Sequence, residues 1–240
     1  FAAWDAQMTG RETMLILCSP HNPGGRVWTP DELRAVADFC KRHDLILVSD
    51  EIHHDLVFAG QKHTIMANAV PDITDRLVMM TAATKTFNIA GCHAGNVIIQ
   101  DADLRARFSQ RMMALGISPN SFGLQMVTAA YSPEGAAWLD GLLAYLDGNR
   151  RLFDAGIASI PGLKTMNLEG TYLAWVDFTD TGMRQAEFIA RIERGAKIAA
   201  NHGSSFGAGG ESFMRFNIAT QRARVAEAVA RLQEAFADLQ

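Results

Sequence analysis

Three short apolar runs, Met14 to Cys18, Leu45 to Ser49 and Leu77 to Met80, each stop at a polar motif, and the stretches between them are amphipathic. That alternation is the pattern of parallel strands joined by crossover helices, so the first half of the chain reads as doubly wound α/β with a mostly parallel sheet. The motifs are Ser19-Pro-His-Asn-Pro-Gly-Gly25, Asp50-Glu-Ile-His-His-Asp55 and Thr81-Ala-Ala-Thr-Lys-Thr-Phe-Asn-Ile-Ala-Gly91. On an open α/β sheet ligands bind at the carboxyl ends of strands, so three polar motifs on successive strand ends make a site. A lysine held there in a dry pocket can lose its proton and attack a carbonyl, which makes Lys85 the leading candidate nucleophile.

Local signals fix several elements. Thr29-Pro-Asp-Glu32 is a helix start in which Thr29 caps, Pro30 suits the first turn and Glu32 completes a capping box; this helix should run to about Arg42. A further strand is expected at Asn96 to Gln100, and from Ala102 to about Asp154 the apolar spacing becomes helical. Beyond Pro161-Gly162 come a strand at Tyr172 to Phe178, a helix around Arg184 to Arg194, a strand at Ser212 to Ile218 and a final helix from Arg222. The expected division is therefore 1–150, part of a large α/β domain with linking helices, and 151–240, a smaller α+β domain.

Charge and composition narrow the function classes. A net charge of -4, with no runs of Lys or Arg, provides no surface for a phosphate backbone, and nucleic acid is not an expected partner. No apolar stretch reaches the roughly 18 residues of a membrane helix, and no membrane association is expected. Cys18, Cys40 and Cys92 are odd in number and set in apolar patterns, which suits thiols in a reducing compartment; the cytoplasm is the expected location. The acidic and imidazole cluster Asp50, Glu51, His53, His54 and Asp55 invites a metal-dependent hydrolase reading. However, adjacent histidines on an extended segment face opposite ways and no His-Glu-x-x-His spacing occurs, so no metal is expected.

Taken together, Ser19-Pro-His-Asn-Pro-Gly-Gly-Arg26, Asp50-Glu-Ile-His53, Thr84-Lys-Thr-Phe-Asn-Ile-Ala-Gly91 and Phe213-Met-Arg-Phe-Asn217 resemble the fold-type I pyridoxal phosphate enzymes of the class I/II aminotransferase superfamily. Within it the chain is most similar to the C-S β-lyase branch, on Lys85-Thr-Phe-Asn-Ile-Ala-Gly91, His53, Tyr131-Ser-Pro-Glu-Gly-Ala-Ala-Trp-Leu139 and Gly170-Thr-Tyr-Leu-Ala-Trp-Val-Asp-Phe178. The resemblance covers the later part of a family chain, and the family's N-terminal segment, with its phosphate-holding turn and ring-stacking aromatic residue, is expected to lie outside this sequence.

The resemblance implies pyridoxal 5'-phosphate as cofactor, carried by Lys85 as an internal aldimine, with Lys85 also moving the substrate α-proton. It implies that Asp50 pairs with the pyridine nitrogen, that Asn22 donates to the ring hydroxylate, with a cis bond before Pro23, and that Arg215 clamps the substrate carboxylate. Asp50 and Ile52 would share one face of an extended segment, so that Ile52 packs beneath the ring, while His53 stands where aminotransferases usually carry a tyrosine. Thr84 and Thr81 are candidate phosphate donors; family serine and arginine positions are here Ala82 and His93, leaving His93 as a substitute donor. Plainer readings stay open: Asn-Pro-Gly is by itself a turn, Ile52 could be core, and Arg215 could be a surface-facing strand residue. The implied reaction is β-elimination on cystathionine or cysteine-type substrates, giving pyruvate, ammonia and a thiol. The alternatives are transamination of an amino acid or, less favoured, an inactive fragment or non-catalytic interaction module. A homodimer is the implied assembly.

Overall fold

A computed structural model describes residues 1–239, which divide into two compact units. The first comprises Phe1–Pro20 and Val27–Leu139. Its sheet runs in the order β1 (Met14–Cys18), β2 (Ile46–Asp50), β3 (Leu77–Thr81), β4 (Asn96–Ile98). The first three strands are parallel, with Cys18 beside Asp50 and Asp50 beside Met80, and β4 closes the edge antiparallel. The sheet is thus mostly parallel, as its apolar runs predict; the strand after the lysine motif is shorter than expected and reversed.

Short helices α1 (Ala2–Asp5), α3 (Met66–Ala69) and α4 (Ala83–Thr86) accompany the longer α2 (Pro30–Arg42), α5 (Ala102–Ala114) and α6 (Ser121–Ala130). In α2 the Thr29 hydroxyl accepts from the Glu32 amide while the Glu32 carboxylate accepts from the Thr29 amide at 2.9 Å, so the predicted capping box forms. Its apolar face, Leu33, Val36, Phe39 and Cys40, is buried with Leu47, Leu77 and Met79 of the sheet and with Met66, Val70 and Ile73. Each such side chain contributes about 1.5–3 kcal/mol by leaving water, and burial pushes the Cys40 thiol up to about 11.

The second unit comprises His21–Arg26 and Asp140–Gln240. Its antiparallel sheet has the order β5 (Lys164–Thr165), β6 (Leu173–Asp177), β8 (Phe213–Asn217), β7 (Asn201–His202). The two-residue strands β5 and β7 are too short to leave an alternation in sequence. Helix α7 (Pro133–Ala158) crosses the division at residue 140, α8 (Gln185–Ala190) continues into a π turn at Arg191–Gly195, and α9 (Arg222–Ala235) ends the described fold. Phe178 stacks on Phe188 with centroids 4.7 Å apart and meets Phe236 at 5.8 Å, forming an aromatic core. Gly156 lets α7 and α9 approach, since a Cβ there would lie 2.3 Å from Val229 Cγ1.

The Ser19-to-Gly25 motif is divided between the units. Residues 21–26 belong to the second, where the Gly25 carbonyl accepts from the amides of Glu169 at 2.8 Å and Gly170 at 3.0 Å. Gly25 has φ +73, and a Cβ on it would meet Leu168 Cδ1 at 2.4 Å, so glycine is required twice over. No helix among the described residues is long and apolar enough to cross a membrane.

Candidate active site

Within the first unit, the carboxyl ends of β2 and β3 bring together Asp50, Ile52, His53, Thr84 and Lys85. Asp50 is the last residue of β2, and Lys85 lies in the single turn of α4, which follows β3. The two charges feel each other: burial raises the Asp50 carboxyl above its ordinary range, while the Ile52 amide and the Lys85 charge pull it back. Asp50 commits Oδ1 to the Ile52 amide at 3.3 Å, which leaves Oδ2 able to accept a further hydrogen bond.

That Asp50-to-Ile52 bond corrects one expectation. An aspartate side chain that accepts from the amide two residues on stabilises a turn, and the chain leaves the extended conformation at Asp50. The His54 amide donates to the Glu51 carbonyl at 3.0 Å and the Leu56 amide to the His53 carbonyl at 2.9 Å. Residues 51 to 55 therefore do not alternate as a strand, and strand alternation does not place Ile52 on the Asp50 face. Ile52 is half-buried and His53 is buried.

Thr84 is buried and its carbonyl accepts from the Ile89 amide at 3.0 Å. The Thr81 hydroxyl accepts from Asn96 Nδ2 at 3.3 Å and keeps its own hydrogen to donate, and His93 is exposed with φ 46.

The second unit holds Asn22 and Arg215. The Asn22–Pro23 bond is cis, as expected, and so is Ser19–Pro20 in the first unit. Arg215 lies in β8 between Trp175 of β6 and Asn201 of β7, so it belongs to a central strand rather than an edge. Its guanidinium donates to Asn22 Oδ1 at 2.9 Å and to Asn201 Oδ1 at 2.7 Å, and lies 4.7 Å from the Phe206 ring centroid. Arg215 Nε is buried with no partner among the described residues, and burial lowers the pKa of the group. A half-buried cation held by two amide oxygens, with a donor to spare, is built to receive an anion. Asn22, having spent its oxygen on Arg215, retains its amide hydrogens as donors.

Two networks escaped sequence reasoning. Glu51, 1% exposed, accepts from Ser49 Oγ at 2.8 Å, the Met66 amide at 3.0 Å and His63 Nε2 at 2.7 Å. Asp55 accepts from Thr86 Oγ1 at 2.9 Å and from the Tyr131 hydroxyl at 3.3 Å. Glu51 and Asp55 were visible as part of an acidic cluster, but apart from Ser49 the partners just named lie 12 to 76 residues away, so only the fold reveals them as supports rather than ligands.

Cystathionine beta-lyase PatB of Bacillus subtilis is 38% identical over 225 residues, which cover 93% of this chain and 58% of PatB. Protein MalY of Escherichia coli is 33% identical over 91% of this chain and 56% of its own length. The structure of cystalysin from Treponema denticola, which contains a pyridoxal 5'-phosphate cofactor, superposes with a TM-score of 0.92 at 36% identity, covering 98% of this chain and 60% of that one. The chain thus spans less than two thirds of the length of these relatives. A sequence model for aminotransferase class I and II matches residues 1–232, and with nearly the whole sequence matched, the chain belongs to that family.

Proposed function

We propose that this protein is a pyridoxal phosphate-dependent C-S β-lyase, acting on cystathionine or a cysteine-type substrate to give pyruvate, ammonia and a thiol. The observation that carries the reading is Lys85 in a single turn at the end of β3, electrostatically coupled to the half-buried Asp50 at the end of the neighbouring parallel strand. The similarity to PatB and cystalysin supports it.

The residues present fit the cofactor. A desolvated carboxylate with an uncommitted oxygen suits a protonated ring nitrogen, and a lysine at the same sheet end suits an aldehyde. Bound pyridoxal phosphate supplies an electron sink for the bond that breaks at the substrate's α-carbon. Lys85 Nζ would hold the cofactor at its aldehyde and, once the substrate amine had displaced it, would act as general base toward the proton on the substrate Cα, with the Cβ–S electron pair leaving on the thiolate. Asp50 Oδ2 would accept the ring N–H and hold that nitrogen protonated. Asn22 would donate to the ring oxygen, Thr84 and His53 would line the cofactor, and Ile52 would make apolar contact from the turn rather than from a strand face. Arg215 binds the substrate carboxylate with the donor that Asn22 and Asn201 leave unused.

Incubation with cystathionine in the absence of any keto acid tests the reaction: pyruvate and thiol should appear together, and absence of both refutes the lyase. Transamination is the second reading, favoured by the description of the matched family; it requires a keto acid acceptor and releases no thiol. A homodimer, measured by light scattering, and a cytoplasmic setting complete the proposal.

A further inference from the structure

A four-residue helix cannot orient itself. Nucleating one turn fixes several dihedrals for a single hydrogen bond, and α4 (Ala83–Thr86) has no side-chain cap at Ala82. The direction of Lys85 must therefore be set by what holds its neighbours. Thr86, 1% exposed, donates its hydroxyl to Asp55 Oδ2 at 2.9 Å. The same oxygen accepts from the Tyr131 hydroxyl at 3.3 Å, just beyond α6, and Asp55 Oδ1 faces His54 Nε2 at 3.2 Å. His54 Nδ1 in turn lies 2.8 Å from the Glu51 carbonyl. One carboxylate thus joins the turn that follows Asp50, the helix that carries Lys85 and the end of α6. Phe87, the next residue, meets Tyr131 edge-on at 5.9 Å and stacks on Trp138 at 5.4 Å, so the helix exit is held from the same side.

We propose that Asp55 is a positioning residue for Lys85, fixing the direction of the lysine through the hydroxyl of Thr86. Thr86 directly follows Lys85, so a rotation of the short helix that released the buried hydroxyl would swing Nζ with it. A buried hydroxyl that loses its acceptor provides the force against such a rotation. Partial burial and the Asp55 carboxylate push the Tyr131 phenol up to about 12, which keeps it a neutral donor to Asp55 over the working pH range.

This inference rests on the reading of Lys85 as the cofactor-bearing amine, and the experiment separates the two. The full chain and the variants Asp55→Ala, Asp55→Asn, Thr86→Val and Thr86→Ser are mixed with pyridoxal phosphate below saturation. The rate of borohydride trapping on Lys85 is read by mass mapping, alongside steady-state kinetics and a thermal midpoint. Asn and Ser keep an acceptor and a donor, whereas Ala and Val do not. Ala and Val should slow trapping and kcat by roughly tenfold or more, with KM within about threefold, because a displacement of about 1 Å costs up to a hundredfold. Asn and Ser should restore most of the rate, and the Asp55→Ala/Thr86→Val double variant should be no slower than Asp55→Ala alone. Folded Ala and Val variants that trap at the unchanged rate would overturn the proposal, as would a Thr86→Val loss that Ser does not recover. Should Asp55→Ala fail to fold, the Thr86→Val and Thr86→Ser pair decides alone. If the unchanged chain gives no Lys85 adduct, the reading of Lys85 falls and this inference falls with it.

Discussion

Replacing Glu51 tests whether the buried acceptor behind the site is as important as its geometry implies. Its two oxygens have different duties. Oε1 accepts from Ser49 Oγ at 2.8 Å and the Met66 amide at 3.0 Å, whereas Oε2 faces His63 Nε2 at 2.7 Å. Ser49 and Met66 are wholly buried, so an alanine at 51 leaves two buried donors without an acceptor as well as removing the bond to His63. At about 1–3 kcal/mol for each stranded group, with some relief from water at His63, Glu51→Ala should cost about 3–5 kcal/mol. Glutamine keeps one carbonyl oxygen for Ser49 and Met66 and turns its amide toward His63. The imidazole can accept that amide at Nε2 only by carrying its proton on Nδ1, which is buried with no partner among the described residues. Glu51→Gln should therefore cost about 1–2 kcal/mol, the penalty of one stranded N–H. In urea, with m of about 2–3 kcal/mol per molar, the midpoint should fall by roughly 1–2 M for alanine and about 0.5 M for glutamine. Circular dichroism on both variants measures the difference. Equal shifts for the two would show that Oε1 is not the critical acceptor, and shifts below about 0.2 M for both would refute the network as a source of stability.

Three other outcomes follow from the same structure. Burial raises the Asp50 carboxyl, so the fold is favoured with Asp50 protonated: the stability this contributes is fully present below the ordinary aspartate pKa and is lost as pH rises through the raised folded value. Asp50→Asn should accordingly raise the urea midpoint at neutral pH in cofactor-free protein, with the gain vanishing in acid, while turnover is abolished; a lower midpoint at neutral pH would contradict the desolvation argument. Arg215→Lys should raise KM for the amino acid roughly tenfold or more, because an ammonium cannot hold Asn22, Asn201 and a carboxylate with one planar fork; an unchanged KM in steady-state assays would remove Arg215 from the substrate site. Gly156→Ala should lower the thermal midpoint although alanine is the better helix former: helix propensity offers about 1 kcal/mol, and overpacking against the stiff Val229 side chain, 2.3 Å from the new Cβ, costs about 1–3 kcal/mol.

What the sequence made legible and what it concealed separate along a physical line. The helix α2 was readable to the residue because its start is written in adjacent positions: Thr29, Pro30 and Glu32 cap one another without reference to the rest of the fold. β1 and β3 were readable because continuous apolar runs have few alternatives. Alternation failed past Asp50 for a local reason that competes with the pleat: the side chain of Asp50 captured the Ile52 amide and turned the chain. The division of the Ser19-to-Gly25 motif was invisible because Gly25 is held by Glu169 and Gly170, and no local pattern reports a partner so far along the chain. The division into 1–150 and 151–240 as folding domains is an expectation read from the sequence, and limited proteolysis is its direct test.

The same line runs through the candidate site. Lys85 and Asp50 drew attention because they follow apolar runs at strand ends, whereas the roles expected of Asn22 and Arg215 came from the resemblance to the family, Arg215 lying in the middle of β8. The groups that hold them could not be named in advance. Glu51 and Asp55 have the same charge as Asp50 and lie within five residues of it, yet one faces Ser49, His63 and Met66 and the other faces Thr86 and Tyr131. Charge alone groups all three as a metal-like cluster. Their hydrogen bonds separate them, because Asp50 accepts, among the described residues, only from the Ile52 amide beside it, while Glu51 accepts on both oxygens and Asp55 Oδ2 takes two hydroxyls from the segments around it. A carboxylate that has exhausted its acceptors on the protein is poorly suited to take a ligand, and one that has not is where a ligand should be sought. On that criterion Asp50, at the end of β2, is the acid proposed to meet the ligand and Glu51 and Asp55 are the proposed supports, and the Asp55 and Glu51 variants should separate accordingly: the first in the positioning of Lys85, the second in the stability of the fold.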